Sequence, residues 1–169
     1  MPEKIDVYNK EKQKTGKVIE RKQGVQLKND EYIISVQCWI LNLKKEILLT
    51  KRKSSKINGG IWEPTGGIVI SGENSIQAIK RELYEEIGIE VSENEISLLK
   101  EIIDEKNEVN FFRDIYILKK DISINELVFN DGEVVDAKYV SIAEFERMLD
   151  SGETFKWLKY FVDLYKNIV

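Results

Sequence analysis

Residues 66–89, GGIVISGENSIQAIKRELYEEIGI, constrain this chain more tightly than any other segment. They specify both ends of one helix. Asn74 can accept hydrogen bonds from first-turn amides, and Gln77, three residues on, can close a capping box. Gly88 supplies the left-handed residue that commonly ends a helix. The spacing therefore predicts a helix over Ser75–Ile87. At about 100° per residue, Ile76, Ile79, Leu83 and Ile87 fall within an arc of roughly 80°. Such a stripe must be buried, and a sheet is its natural floor.

The rest of the chain supplies that sheet. YIISVQCWIL (32–41) is β-rich and largely apolar, as expected of a central strand covered on both faces. A polar turn at 42–45 leads into EILLTK (46–51), read as the returning strand of a hairpin. The opening DVYNKEKQKTGKVIER reads as two short strands around a turn near Thr15-Gly16. Strands return over 96–119, with a polar turn around 105–108, and again over 134–140. Residues 141–149 and 155–168 carry apolar side chains at helical spacing. Strands, helix, strands, helices suggests an α/β sandwich with a mixed sheet, organised as one domain over residues 1–169 with 1–30 as N-terminal strands and extension.

Composition excludes several chemistries. The 169 residues contain no histidine, which removes histidine acid/base catalysis, Ser–His and Cys–His nucleophile systems and His-ligated zinc. A metal would be held by oxygen, which points to Mg²⁺ or Mn²⁺. The net charge of −4, with both signs spread along the chain, argues against a nucleic-acid partner on a broad basic face. The single cysteine, Cys38, lies in an apolar run and reads as a small buried hydrophobe. With no long apolar run and no secretion signal in view, a cytoplasmic setting without a membrane partner is expected.

Glu82, Glu85 and Glu86 fall within an arc of roughly 100°, on the side of the helix away from its apolar stripe. As i,i+3 and i,i+4 like-charge pairs they cost roughly 0.2–0.5 kcal/mol each in an exposed helix. They also sit toward the C-terminal end, where the helix dipole disfavours negative charge. No lysine or arginine follows at Ile89 or Glu90 to compensate. A divalent cation would turn this repulsion into binding. Glu73 and Arg81 can brace the glycine loop against the helix, which would keep Arg81 from competing with that cation.

Gly67, five residues, Glu73, seven residues, then Arg81-Glu82-Leu83-Tyr84-Glu85-Glu86-Ile87-Gly88-Ile89 resembles the complete Nudix box. The resemblance implies a Nudix-type α/β/α sandwich and Mg²⁺-dependent hydrolysis of a diphosphate in a nucleoside diphosphate linked to another moiety. It implies Glu82, Glu85, Glu86 and the Gly66 carbonyl as metal ligands. Gly67, Glu73, Arg81 and Gly88 would support the box. The general base in the family is a box glutamate, here Glu85 or Glu86, or one on a later loop. Glu133 is placed like that later glutamate, with Asp131 and Glu126 as competitors. Arg52 is a candidate phosphate contact or a solvated loop cation. Trp62 is a candidate for stacking on a base or for packing beneath the loop. Arg113 is a strand-edge charge or a substrate contact.

The N-terminal half resembles the branch related to isopentenyl-diphosphate isomerase. That enzyme's metal site uses histidines, which this chain lacks, and Cys38 lacks the context of its catalytic cysteine. Hydrolysis is therefore the expected activity. A non-catalytic Nudix-fold binding domain and an isomerase-like enzyme are the alternatives. The expected partner is a small diphosphate substrate, and a homodimer is possible, dimers being the commonest assembly of soluble proteins in general. Substrate choice would lie in loops near 24–31, 53–60 and 104–110, which carry no diagnostic signature.

Overall fold

The computed structural model describes residues 2–21, 27–105 and 109–169. Its nine strands are β1 (Lys4–Tyr8), β2 (Lys14–Glu20), β3 (Tyr32–Leu41), β4 (Ile47–Arg52), β5 (Trp62–Glu63), β6 (Thr65–Ile68), β7 (Ile96–Asp104), β8 (Asn110–Lys119) and β9 (Val134–Val140). The helices are α1 (Ser75–Ile87), α2 (Ile142–Ser151) and α3 (Tyr160–Ile168), the last preceded by a 3₁₀ turn at Lys156–Lys159. Among the described residues no helix is long and apolar enough to cross a membrane.

β3 organises the sheet. It runs parallel to β8 along its whole length, from Tyr32 opposite Asn110 to Leu41 opposite Lys119. Its other edge is shared by β1, by β6 antiparallel over Ser35–Cys38, and by β4. β7 extends the sheet beyond β8, and β9 pairs with β4. Mixed pairing of this kind leaves two faces to cover, and helices cover both.

Side chains alternate across a strand, and β3 divides the core accordingly. Ile34, Val36, Cys38 and Ile40 pack with Ile79, Leu83 and Ile87 of α1. Trp39 and Leu41 pack with Phe145 of α2 and Phe161 of α3. The Trp39 and Phe161 rings stack at 3.6 Å. All ten β3 residues are consequently buried, as its largely apolar composition predicted, and the polar Ser35 and Gln37 are buried with the rest. Cys38 is among them, and burial pushes its thiol pKa up, which suits packing rather than reactivity.

The predicted caps of α1 are present. The Asn74 side chain accepts from the Gln77 amide while Gln77 returns a bond to the Asn74 amide, and Gly88 ends the helix at φ 73°. One turn differs from expectation. The β1–β2 reversal lies near residues 9–13, where the Asn9 amide donates to the Gln13 carbonyl. Thr15-Gly16 lies inside β2, where the register slips between Asp6 and Tyr8 of the partner strand. Gly16, at φ 84°, uses its left-handed freedom to bulge the strand rather than to turn the chain. The predicted turn at 105–108 lies mostly outside the described residues.

Candidate active site

A cavity of about 410 Å³ opens where α1, β6, β3 and β8 meet. Two glycines give α1 access to it. A Cβ on Gly66 would lie 2.2 Å from the Val36 carbonyl oxygen, so β6 can approach β3 this closely only without a side chain there. A Cβ on Gly67 would lie 2.0 Å from Glu82 Oε1. The space a side chain would have filled is occupied by the Glu82 carboxylate.

The glutamates are deeper than a simple acidic face. Glu82 and Glu86 are each only 7% exposed. The expectation of a cluster on the side away from the apolar stripe is corrected here. At about 100° per residue, Glu86 lies close to Ile79, so Glu82 and Glu86 flank the stripe and are buried with it. Burial raises the Glu82 pKa to about 6, against the pull of Arg81. Burial first, then the charges of Glu82, Glu63 and Asp131, pushes Glu86 well above the usual carboxylate range. Glu86 Oε2 is buried without a hydrogen-bond partner.

Arg81 corrects a second expectation. It braces the loop as foreseen: Nε and Nη2 donate to Glu73 at 3.1 and 2.7 Å, and Nη2 also donates to the Ile68 carbonyl at 3.0 Å. Its Nη1, however, donates to Glu82 at 2.8 Å and to Glu85 at 2.9 Å. The cluster does have a cation of its own, supplied from the N-terminal side at i−4 rather than from beyond the helix. Burial opposes the charge of Arg81, but the bonds to Glu73 and Glu82 outweigh it and raise its pKa. Among the described residues no three acidic side chains form a ready-made metal cage, and Arg81 holds one oxygen each of Glu82 and Glu85.

A later loop closes the far end of α1. The amides of Asn130 and Asp131 donate to the Glu85 carbonyl, and Asn130 Nδ2 donates to the Tyr84 carbonyl. These bonds satisfy carbonyls that a helix end leaves open and bring Asp131 and Glu133 to the cavity wall. Lys56 Nζ meets Glu133 Oε1 at 2.6 Å, and this bond lowers the Glu133 pKa. Glu126 lies in a separate 3₁₀ turn and does not line the cavity. Arg52 does line it, its Nη1 paired with Glu63 at 2.9 Å. Trp62 does not, which corrects its candidacy as a stacking partner. The residue is 8% exposed, joins the α2–α3 core, and has the Lys51 and Lys138 ammonium groups 5.4 and 4.4 Å from its ring centre.

Several lining residues were not singled out from sequence. Glu63, Gln37, Phe111 and Trp157 face the cavity with Arg113, as do Arg21 and Glu3. Polar residues in the apolar strand β3, Ser35 and Gln37 at i and i+2, are the signal that could have revealed one wall. The lining holds seven carboxylates and four guanidiniums. Each guanidinium is already paired: Arg21 with Glu3, Arg52 with Glu63, Arg81 with the box, and Arg113 with Asp104. A polyanionic ligand entering this cavity would meet net negative charge. The donor set fits a hard divalent cation: carboxylates, one with a buried unsatisfied oxygen, beside the Gly66–Gly67 backbone of β6.

The family model described as NUDIX domain matches residues 31–161. A Nudix hydrolase of Listeria monocytogenes is 31% identical over 153 residues, which cover 89% of this chain and 87% of that protein. Among solved structures, a Deinococcus radiodurans protein superposes with a TM-score of 0.75 at 20% identity, covering 90% of this chain and 91% of that one. A MutT protein of Methanosarcina mazei superposes with a TM-score of 0.62 at 25% identity, covering 80% and 91%. The family match runs from β3 through the box helix and β9 to the start of the terminal helix, and with it the chain belongs to the Nudix family.

Proposed function

We propose that this protein hydrolyses the diphosphate linkage of a nucleoside diphosphate joined to a second group, with Mg²⁺ as its cofactor and Mn²⁺ as a substitute. Family membership supports a pyrophosphohydrolase. The observation that carries the metal dependence is Glu86, a buried carboxylate with one oxygen left without a partner beside other acids. A buried carboxyl oxygen without a partner is costly, and ionising it beside other acids is costlier still unless a cation meets it.

Glu82, Glu85, Glu86 and the Gly66 carbonyl would hold the metal. When bound, the ion neutralises phosphate oxygens and acidifies a coordinated water. Gly67, Glu73, Arg81 and Gly88 keep loop and helix in register. Arg52, anchored by Glu63, offers donors to a phosphate oxygen. Glu133 is held ionised by Lys56 and accepts a proton from the attacking water at a carboxylate oxygen. Glu85 or Glu86 is the alternative base. The water oxygen bonds to phosphorus, and the phosphorus–bridging-oxygen bond breaks with its electron pair leaving on the departing phosphate. Most of the rate enhancement comes from positioning and charge neutralisation.

The test is phosphate or monophosphate release from a panel of nucleoside diphosphate derivatives, with and without Mg²⁺. Metal-dependent turnover that Glu86→Gln abolishes is the expected result. Binding of these ligands with no turnover of any diphosphate would overturn it and leave a non-catalytic binding domain.

A further inference from the structure

The cavity has a second wall, distinct in chemistry from the acidic one. Phe111 and Arg113 of β8 project on the same side as Ser35 and Gln37 of β3, and the 3₁₀ turn before α3 brings Trp157 to the same cavity, against Arg113. The Arg113 guanidinium lies 4.4 Å from the Phe111 ring centre and 4.6 Å from that of Trp157. Its nitrogens are held by Asp104 at 2.9 and 3.1 Å and by Ser35 Oγ at 3.2 Å. With its charge paired to Asp104 and two rings packed against its guanidinium, Arg113 is a poor seat for a free phosphate. It works instead as a spacer that holds two rings at the cavity edge. Trp157 remains 42% exposed.

Gln37 supplies hydrogen bonding beside these rings, and its orientation follows from its neighbours. An indole N–H only donates, so Tyr160 Oη accepts from Trp39 Nε1 at 3.0 Å. Tyr160 then gives its own proton to Gln37 Oε1 at 2.7 Å. The carbonyl side of the Gln37 amide is thereby committed, and its NH₂ is left to the cavity, which Gln37 lines. Gln37 also pairs across the sheet with Gly66 at the head of the box. From β6 across β3 to β8 is two strand spacings, roughly 10 Å. That is about the reach of a ribose phosphate.

We infer that the wall formed by Trp157, Phe111, Arg113 and Gln37 is the base-recognition subsite, seating a nucleobase that stacks on Trp157 and offers a ring carbonyl or nitrogen acceptor to the Gln37 amide. This rests on the diphosphate-hydrolase reading for the position of the phosphates. The subsite selects nucleoside diphosphates over diphosphates that lack an aromatic ring.

Calorimetric titration with AMP, GMP, CMP, UMP and ribose 5-phosphate, all with Mg²⁺ present, tests it. At least one nucleoside monophosphate binds about tenfold tighter than ribose 5-phosphate. Trp157→Ala removes that advantage, Trp157→Phe restores most of it, and Gln37→Glu, which replaces the donor with an acceptor, weakens the preferred base. No nucleoside monophosphate binding tighter than ribose 5-phosphate, or an advantage that survives Trp157→Ala, overturns the inference. Turnover is scored separately. Diphosphate cleavage without base-dependent binding sinks the subsite alone. Base-dependent binding without cleavage of any diphosphate sinks the hydrolase reading and leaves the subsite standing.

Discussion

The Glu82 carboxylate occupies the space a side chain on Gly67 would need, with Oε1 2.0 Å from where that Cβ would sit. Gly67→Ala therefore meets the far end of a flexible side chain and is expected to fold. The displaced carboxylate is a proposed metal ligand, so Mg²⁺-dependent turnover should fall about 100-fold or more, by analogy with loss of one preorganised electrostatic group. Gly66→Ala meets the Val36 carbonyl, backbone that cannot yield. Overpacking of this kind costs about 1–3 kcal/mol, which thermal unfolding would read as a drop of about 2–4 °C per kcal/mol in a chain of this size. Equal Tm losses in the two variants would contradict this division.

Glu86 links pH to stability. Its pKa is raised in the folded protein, as is that of Glu82, to about 6. Below the ordinary glutamate value both states bind the proton and nothing is lost. As pH rises through that value and then through the folded one, the folded state holds protons the unfolded chain has released, so stability falls. In EDTA, the Tm of Glu86→Gln should gain on that of the unaltered protein as pH rises from about 4.5 to 8. Mg²⁺ should reverse the gap by stabilising only the unaltered protein. A gap independent of pH would refute the linkage.

Arg81 holds the same oxygens a cation would need. Glu73 takes two of its hydrogen bonds and keeps it partly engaged elsewhere. Glu73→Gln removes that competing charge and leaves Arg81 committed to Glu82 and Glu85. The Mg²⁺ concentration giving half-maximal activity should rise severalfold while unfolding temperature shifts little. An unchanged Mg²⁺ requirement would mean that Arg81 does not compete.

The bond from Lys56 lowers the Glu133 pKa. If Glu133 is the base, Lys56→Ala should move the acid limb of the pH–kcat/KM profile to higher pH, because the proton is then held more tightly. Glu133→Gln should remove that limb and lower kcat. A limb that stays in place in both variants assigns the base to Glu85 or Glu86.

Local chemistry made part of this molecule readable in advance. The caps of α1 depend on Asn74, Gln77 and Gly88 alone, and β3 announced its burial by a largely apolar, β-rich run. The box glutamates were legible as a pattern, but their burial was not. A helical wheel places Glu86 beside Ile79, yet only the packing of α1 on β6 decides that Glu86 goes inward. The Arg81 bonds to Glu82 and Glu85 required knowing that Glu73 would not saturate it. Trp62 and Trp157 show the same limit from opposite directions. Each has charged neighbours in sequence, and only the folded chain decides that Trp62 is buried with Lys51 and Lys138 against its ring while Trp157 stands open at the cavity.

The alternation along β3 carries a consequence for how such a protein can diversify. Its even-numbered residues are bound to the helix that bears the box, while Gln37 and Trp39 answer to the chain's last segment through Tyr160. Substitutions in the terminal segment can remodel the ligand wall through one face of the strand and leave the other face untouched. Drift in ligand preference and retention of bond-breaking machinery are thus mechanically decoupled within a single ten-residue strand.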